Sequence, residues 1–286
     1  MPTPTSFLHE LVGCMSQGAA GNPTVAMIQA AFTHHQLPWR YINLEVAPAD
    51  LPAAVHGALA MGFRGFNLSM PHKVAVIPLL AGLGESAKLI GAVNCVVRRD
   101  GAFVGENTDG KGFLTSLQTV IDPRGTNVVL FGAGGAARAI AIELALAGIR
   151  HLTIVNRAMD RGRGLVDALR AGTPTEVTFV PWSGNYVVPS DTQVLINATS
   201  IGLYAPEARV PVAVESLRPE MVVADVVFNP PNTRFLDEAA ARGCTTLDGL
   251  GMLVNQGVIG VSYWTGVTPD AAVMRRALEQ ALGLAR

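Results

Sequence analysis

The stretch Val128-Val129-Leu130-Phe131-Gly132-Ala133-Gly134-Gly135-Ala136-Ala137 decides the fold. It joins a short apolar run to an alanine-rich one through small residues in the form GxGxxA. Val128–Phe131 reads as a buried strand and Ala136–Ala147 as a helix. Between them, Gly132 permits a tight turn and Gly134 lets a pyrophosphate approach the backbone. Ala137 allows the helix to pack closely on the strand. The unpaired N–H groups and positive dipole at the helix start then attract the anion. Glycines at this spacing are weak evidence alone, but flanked by strand and helix they predict a dinucleotide loop running from Gly132 through Ala133, Gly134, Gly135 and Ala136 to Ala137.

Working outward, the next strand is expected at Leu152–Val155, and its end bears on the choice of dinucleotide. A site for NAD usually places Asp or Glu there, roughly 20 residues downstream of the loop, to bind the ribose hydroxyls. This chain has Asn156 and Arg157, with Arg161 four residues on. Guanidinium groups clamp a 2′-phosphate that a carboxylate would repel, so NADP is the favoured cofactor. Asp160 between the arginines keeps NAD as the alternative. Val177–Val180, Val194–Ala198 and Val222–Val227 supply further strands, dense in β-branched residues as parallel central strands are. A terminal helix is expected after Thr268 as N-cap, with Pro269 at its first position.

Upstream, Leu8–Cys14, Trp39–Leu44 and Gly65–Ser69 read as strands, with helices over Pro23–His35 and Pro48–Met61 between them. Ala92–Gly105 reads as a hairpin turning at Asp100-Gly101. The fold class is therefore α/β, with a βαβαβ unit and hairpin ahead of a Rossmann-type, doubly wound NAD(P)-binding domain. The expected division is 1–106 with 255–286 for one domain and 107–254 for the dinucleotide domain, the last segment packing back on the first.

Composition narrows the function. Hydrophobic residues are 49% of the 286, charged residues 15%, and the formal net charge is −1. That balance carries no basic footprint for nucleic acid or an anionic membrane. Cys14, Cys95 and Cys244 are far apart, with no CxxC pair to hold a metal, which suits buried thiols in a reducing cytoplasm. The start of the chain has neither a basic n-region nor an apolar h-region, and no apolar run reaches the ~18 residues of a spanning helix. A small-molecule enzyme, monomer or homodimer, is expected. Gly105–Gly112 imitates a P-loop, but Gly112 stands where a magnesium-binding hydroxyl would be needed.

Two polar stretches are not explained by folding. One is Gly65-Phe-Asn-Leu-Ser69-Met-Pro71-His-Lys73; the other runs from Gly91-Ala-Val-Asn94 to Glu106-Asn-Thr-Asp109-Gly110. With the glycine loop, Asn156–Arg161, Asn197-Ala-Thr199-Ser-Ile-Gly202, Asp225-Val226-Val-Phe228-Asn-Pro and Asp248-Gly249-Leu-Gly-Met, they closely resemble the shikimate dehydrogenase family in motif and order, over nearly the whole chain. The resemblance implies that the first domain binds substrate. It implies that Lys73 and Asp109 are the catalytic pair, handling the proton at the substrate hydroxyl while hydride moves to or from the nicotinamide. An ammonium and a carboxylate side by side also hold each other charged and oriented. Ser69, Asn94 and Gln256 match substrate-binding positions, and Thr199, Val226 and Gly249 match cofactor-binding ones.

Departures from the family pattern gather at one end. Its Ser-x-Ser-Pro, which holds the substrate carboxylate, reads Ala20-Gly21-Asn22-Pro23 here. Asn22 keeps an amide donor, and Ser16 or Gln17 is available nearby. The tyrosine of D-x-x-YNP has become Phe228, which donates no hydrogen bond. Ala158 and Cys95 replace threonines, and Ser69 another, with its hydroxyl kept. The implied reaction is hydride transfer between NADP(H) and a shikimate-like carbocyclic polyol acid, in a divergent branch with quinate or an amino analogue as candidate substrates. The alternatives are an NAD-dependent quinate or quinate/shikimate dehydrogenase, and a non-catalytic NAD(P)-binding sensor, against which the retained Lys73 and Asp109 speak.

Overall fold

The computed structural model describes residues 7–284. They divide into two compact units, one reaching Thr108 and resuming at Gly257, the other Asp109–Gln256.

The first unit opens with β1 (Glu10–Ser16), α1 (Thr24–His34), β2 (Trp39–Glu45), α2 (Leu51–Ala60) and β3 (Gly65–Leu68). A short α3 (His72–Ala75), a two-residue β4 (Gly82–Leu83) and α4 (Glu85–Ile90) follow, then the hairpin of β5 (Cys95–Arg99) and β6 (Ala102–Glu106). The hairpin turns at Asp100 and Gly101, both with positive φ, 48° and 81°, as a tight two-residue turn that follows strand twist requires. The strands form one mixed sheet in the order β2-β1-β3-β5-β6-β4. On one of its faces Phe66, Phe103, Phe63 and Val96 are buried together, Phe66 meeting Phe103 edge-on at 5.1 Å.

The second unit contains α5 (Asp109–Leu117), β7 (Asn127–Phe131), α6 (Gly135–Leu146), β8 (His151–Asn156), α7 (Met159–Gly172), β9 (Glu176–Pro181), β10 (Val194–Asn197), β11 (Val222–Asp225), α8 (Arg234–Ala241) and β12 (Thr245–Leu247). Its six strands are all parallel, in the order β12-β11-β10-β7-β8-β9. The chain thus builds outward from β7 through β8 and β9, then returns to β7's other side for β10. The sheet is a Rossmann-type, doubly wound one, and its direction of winding reverses between β7 and β10. Every residue of β7 and β10 is buried, which is why these strands read as unbroken apolar runs.

The helix α9 (Gly249–Thr265) spans the boundary between the units at Gln256–Gly257. Within the second unit α5 lies tightly on its first half: a side chain at Gly112 would strike the backbone of Met252 and Gln256. In the first unit the Trp264 indole donates to the Val96 carbonyl at 2.9 Å, and α10 (Ala271–Ala281) packs on α1.

Several boundaries differ from the sequence reading. The first strand starts at Glu10, not Leu8, and extends to Ser16. The segment expected as one helix from Pro48 begins as a 3-10 turn, Pro48–Asp50, before α2. The last helix begins at Ala271 rather than Pro269. Its N-cap is Asp270, whose carboxylate accepts from the N–H groups of Ala272 (2.7 Å) and Val273 (3.2 Å). Thr268-Pro269 imitates a start signal, but a carboxylate answers both the free N–H groups and the helix dipole. The unit boundaries fall after Thr108 and Gln256, each two residues beyond those expected. Replacing Asp270 by Ala should lower the thermal midpoint by a few degrees, while Thr268→Ala leaves it unchanged; a calorimetric scan of the two variants distinguishes the caps.

Candidate active site

The edge of the first sheet collects polar residues from three strands. β1 and β3 run parallel, β5 is antiparallel to β3, and β6 is antiparallel to β5. The ends of β1, β3 and β6 and the start of β5 therefore share one edge. Asn22 follows β1, Ser69 and Lys73 follow β3, Asn94 precedes β5, and Thr108 follows β6. Lys73 is half-buried on α3, and its carbonyl accepts from Val93 N–H at 2.8 Å. That bond ties the lysine's turn to the Gly91–Asn94 loop. Its neighbour His72 is fully buried, its Nε2 2.8 Å from the Val46 carbonyl.

Asn94 acts here as a clamp. Its Oδ1 accepts from Thr108 N–H at 2.7 Å, and its Nδ2 donates to Thr108 Oγ1 at 3.0 Å. Its carbonyl takes the N–H of Leu68 and the Nδ2 of Asn67, and Asn67 accepts from the buried Tyr41 hydroxyl at 2.9 Å. The residue assigned to substrate binding therefore also fixes the position of the peptide ahead of Asp109. Asp109 itself is the first residue of α5 and counts with the second unit, as does Gln256, whose Nε2 donates to the Leu253 carbonyl.

The loop that replaces Ser-x-Ser-Pro is held from β2 by its backbone. Glu45 accepts from the N–H groups of Gly18 and Ala19, at 2.7 Å each, and Asn43 donates to the Asn22 carbonyl at 3.0 Å. The Asn22 side chain turns back to accept from Thr24 N–H at 3.0 Å.

In the second unit the winding reversal carries two adjoining cavities. One, of about 210 Å³, is lined by Gly132, Ala133, Gly134, Asn156, Arg157 and Arg161, together with Trp182 and Ala198–Ile201. The other, of about 260 Å³, is lined by Gly134–Ala136, Ala198–Ser200, Leu203 and Val226–Phe228. The turn after β7 is possible because position 132 is glycine: its φ is +113°, and a side chain there would collide with the Ala198 carbonyl. Ala137 is fully buried and serves helix packing. Gly249 stands behind the second cavity, where a side chain would strike the carbonyls of Val226 and Val227.

The residues fit a dinucleotide. The N–H groups at the start of the twelve-residue α6 open onto both cavities, and two exposed guanidinium groups line the one that contains Asn156. The sequence reading had no signal for Trp182. It comes from the end of β9, held by stacking on Phe131 (centroids 4.7 Å apart, planes at 11°) and by donation to the Pro211 carbonyl. Ser200, Leu203 and Val227 lay within quoted or adjoining motifs but were not singled out.

Both cavities are walled by loops after β10 and β11, and a buried polar network fixes those loops. Asn197 accepts from the N–H and Oγ1 of Thr199, at 3.2 and 2.7 Å, and donates to Asp225 at 3.0 Å. Asp225, 1% exposed, also accepts from Val227 N–H at 3.0 Å and Thr233 Oγ1 at 2.7 Å. Burial pushes the Asp225 carboxyl up to about 6, outweighing the lowering effect of its donors.

This architecture defines an oxidoreductase of the dinucleotide-binding α/β class with a separate substrate domain. Family models for the shikimate dehydrogenase substrate-binding domain and C-terminal domain match residues 22–96 and 249–279. The shikimate dehydrogenase (NADP(+)) of Rubrobacter xylanophilus is 41% identical over 271 residues, 94% of this chain and 95% of its own. Among solved structures, the ligand-free 5-ketofructose reductase of Gluconobacter sp. strain CHM43 is 56% identical with a TM-score of 0.95, covering 96% of this chain and 99% of that one. The Thermus thermophilus shikimate 5-dehydrogenase in complex with NADP(H) and shikimate is 32% identical with a TM-score of 0.82, covering 95% and 99%. The chain belongs to the shikimate dehydrogenase family.

The raised Asp225 pKa has a consequence for stability. A folded-state value near 6, against about 3.9 in the unfolded chain, means the folded state holds the proton more tightly. Its contribution is therefore most favourable below pH 4 and is lost as pH rises through 6, by about 3 kcal/mol in all. The stability difference between Asp225→Asn and the unsubstituted chain should shift in the variant's favour from pH 4 to 6 and then level off. Urea midpoints across that range test this; a pH-independent difference would contradict the raised value.

Proposed function

We propose that this chain transfers hydride between NADP(H) and a secondary alcohol or ketone carbon of a compact polyhydroxylated substrate, with Lys73 and Asp109 serving the proton. The observation that carries the reading is the sheet edge bearing Lys73, Ser69 and Asn94, in a chain whose second unit has the dinucleotide cavities. When bound, the nicotinamide supplies or accepts the hydride. The protein's part is proton handling and orientation. Lys73 donates a hydrogen bond to the reacting oxygen, polarising a carbonyl and delivering a proton to the alkoxide that forms; in the reverse direction it takes that proton back. Asp109 keeps the lysine charged and aimed. Asn22, Ser69, Asn94 and Gln256 orient the remaining hydroxyls. Gly132 through Ala137, Thr199, Val226 and Gly249 shape the dinucleotide site, and Arg157 and Arg161 beside Asn156 favour the 2′-phosphate of NADP. The three buried, unbridged thiols suit the cytoplasm.

Two substrate readings share this chemistry. The curated relatives support a shikimate-like acid, interconverted with its 3-dehydro form. The acid end of the site favours a second, neutral class. Ala20 and Phe228 carry no hydrogen-bond donor, and Asn22 turns its amide oxygen to its own loop. Each donor lost to a charged carboxylate costs about 1.5–3 kcal/mol, whereas a neutral sugar ketone makes no such demand. The relative at 56% identity is named for 5-ketofructose, a ketose without a carboxylate.

The deciding measurement is the initial rate of NADPH and NADH oxidation with 5-ketofructose, 3-dehydroshikimate and 3-dehydroquinate. The expected order puts NADPH ahead of NADH and the neutral ketose ahead of both acids by about tenfold or more. A preference for 3-dehydroshikimate would return the assignment to the acid class, and no turnover with any pair would leave only a binding role. In the same assay Lys73→Ala should lose about a hundredfold or more in kcat while NADPH affinity is retained.

A further inference from the structure

The loops after β10 and β11 make walls for both cavities of the second unit, yet neither is part of a helix or strand. Thr199, Ser200 and Ile201 belong to the first and Val226, Val227 and Phe228 to the second. Without ladder hydrogen bonds to set them, their positions depend on side chains. Asp225 holds one wall directly by accepting from Val227 N–H. It holds the other through Asn197, whose remaining contacts are Thr199 and the Ile201 carbonyl at 3.3 Å. Its second oxygen takes the Thr233 hydroxyl, the N-cap of α8. One carboxylate thus ties together two loops and a helix start, and it lines neither cavity.

A buried carboxylate is an expensive way to hold a fold together, and its raised pKa shows that its donors do not fully compensate burial. An apolar side chain would fill the space with a smaller desolvation penalty. It would also leave Val227 N–H and the Asn197 amide without an acceptor and the two walls without a common anchor.

We propose that Asp225 is a positioning residue for the dinucleotide, fixing both walls of its site through Asn197, Val227 and Thr233. The inference rests on the reading of these cavities as the NADP(H) site. It places specificity for cofactor geometry in a residue that never touches the cofactor.

The test is NADPH affinity of the full chain, measured by fluorescence titration without substrate, for the unsubstituted protein, Asp225→Ala, Asp225→Asn and Thr233→Val, with far-UV circular dichroism on each. Asp225→Ala should weaken NADPH binding by about tenfold or more with unchanged secondary structure, and the KM for the carbonyl substrate should move less than that for NADPH. Asp225→Asn should restore affinity to within about threefold, since an amide oxygen can serve Asn197 and Val227 while its NH₂ donates to the Thr233 hydroxyl. If the alanine variant does not fold, Thr233→Val, which removes a single donor, should still weaken binding. Unchanged affinity in a folded Asp225→Ala or in Thr233→Val would overturn the proposal, as would an Asp225→Asn variant as weak as the alanine one. An unsubstituted chain that binds no NADPH would instead refute the reading of the cavities, and the proposal with it.

Discussion

The approach of two backbones at the centre of the second sheet constrains the rest of that unit. β7 and β10 lie side by side and parallel, and the turn leaving β7 presses Gly132 against the carbonyl of Ala198 at the end of β10. Any side chain at 132 would force those strand ends apart. Because it is glycine, the start of α6 can face the loops after β10 and β11 at close range. The anion-binding N–H groups and both cavity walls are then set by one contact.

The first sheet solves a different problem. Its strands are mixed, so residues distant in sequence reach a common edge only through the pairing of β1 with β3, β3 with β5 and β5 with β6. Asn94 converts that pairing into a fixed arrangement by gripping Thr108 with both atoms of its amide. The polar network below it, from Tyr41 through Asn67 to the Asn94 carbonyl, leaves the amide little freedom.

How much of this could be read from the sequence depends on how local the cause is. The glycine loop, the Asp100-Gly101 turn and the fully buried strands announce themselves, because each rests on its own few residues. The cap of α10 was misread at Thr268 because Thr-Pro satisfies the same local rule as Asp270, and only the path of the chain chooses between them. No periodicity pointed to α5 or α9. Their glycine-rich faces, including Gly112 and Gly251, exist to let helices approach and carry little amphipathic signal. Trp182 escaped for a related reason: its place in the cavity depends on stacking with Phe131, 51 positions earlier in the chain. The motifs of the polar edge were legible as a set, whereas the buried role of Asp225 needed the hydrogen bonds.

The anchoring of the loop after β1 has its own implication. Glu45 grips peptide nitrogens at Gly18 and Ala19, and Asn43 grips a peptide oxygen at Asn22. None of these attachments involves the side chains at positions 20 and 22. The loop behaves as an interchangeable cassette, bolted to the scaffold by its main chain while its exposed groups remain open to exchange. A lineage could acquire a new diet here by drift at a handful of codons, leaving the reactive lysine and the sheet beneath it undisturbed.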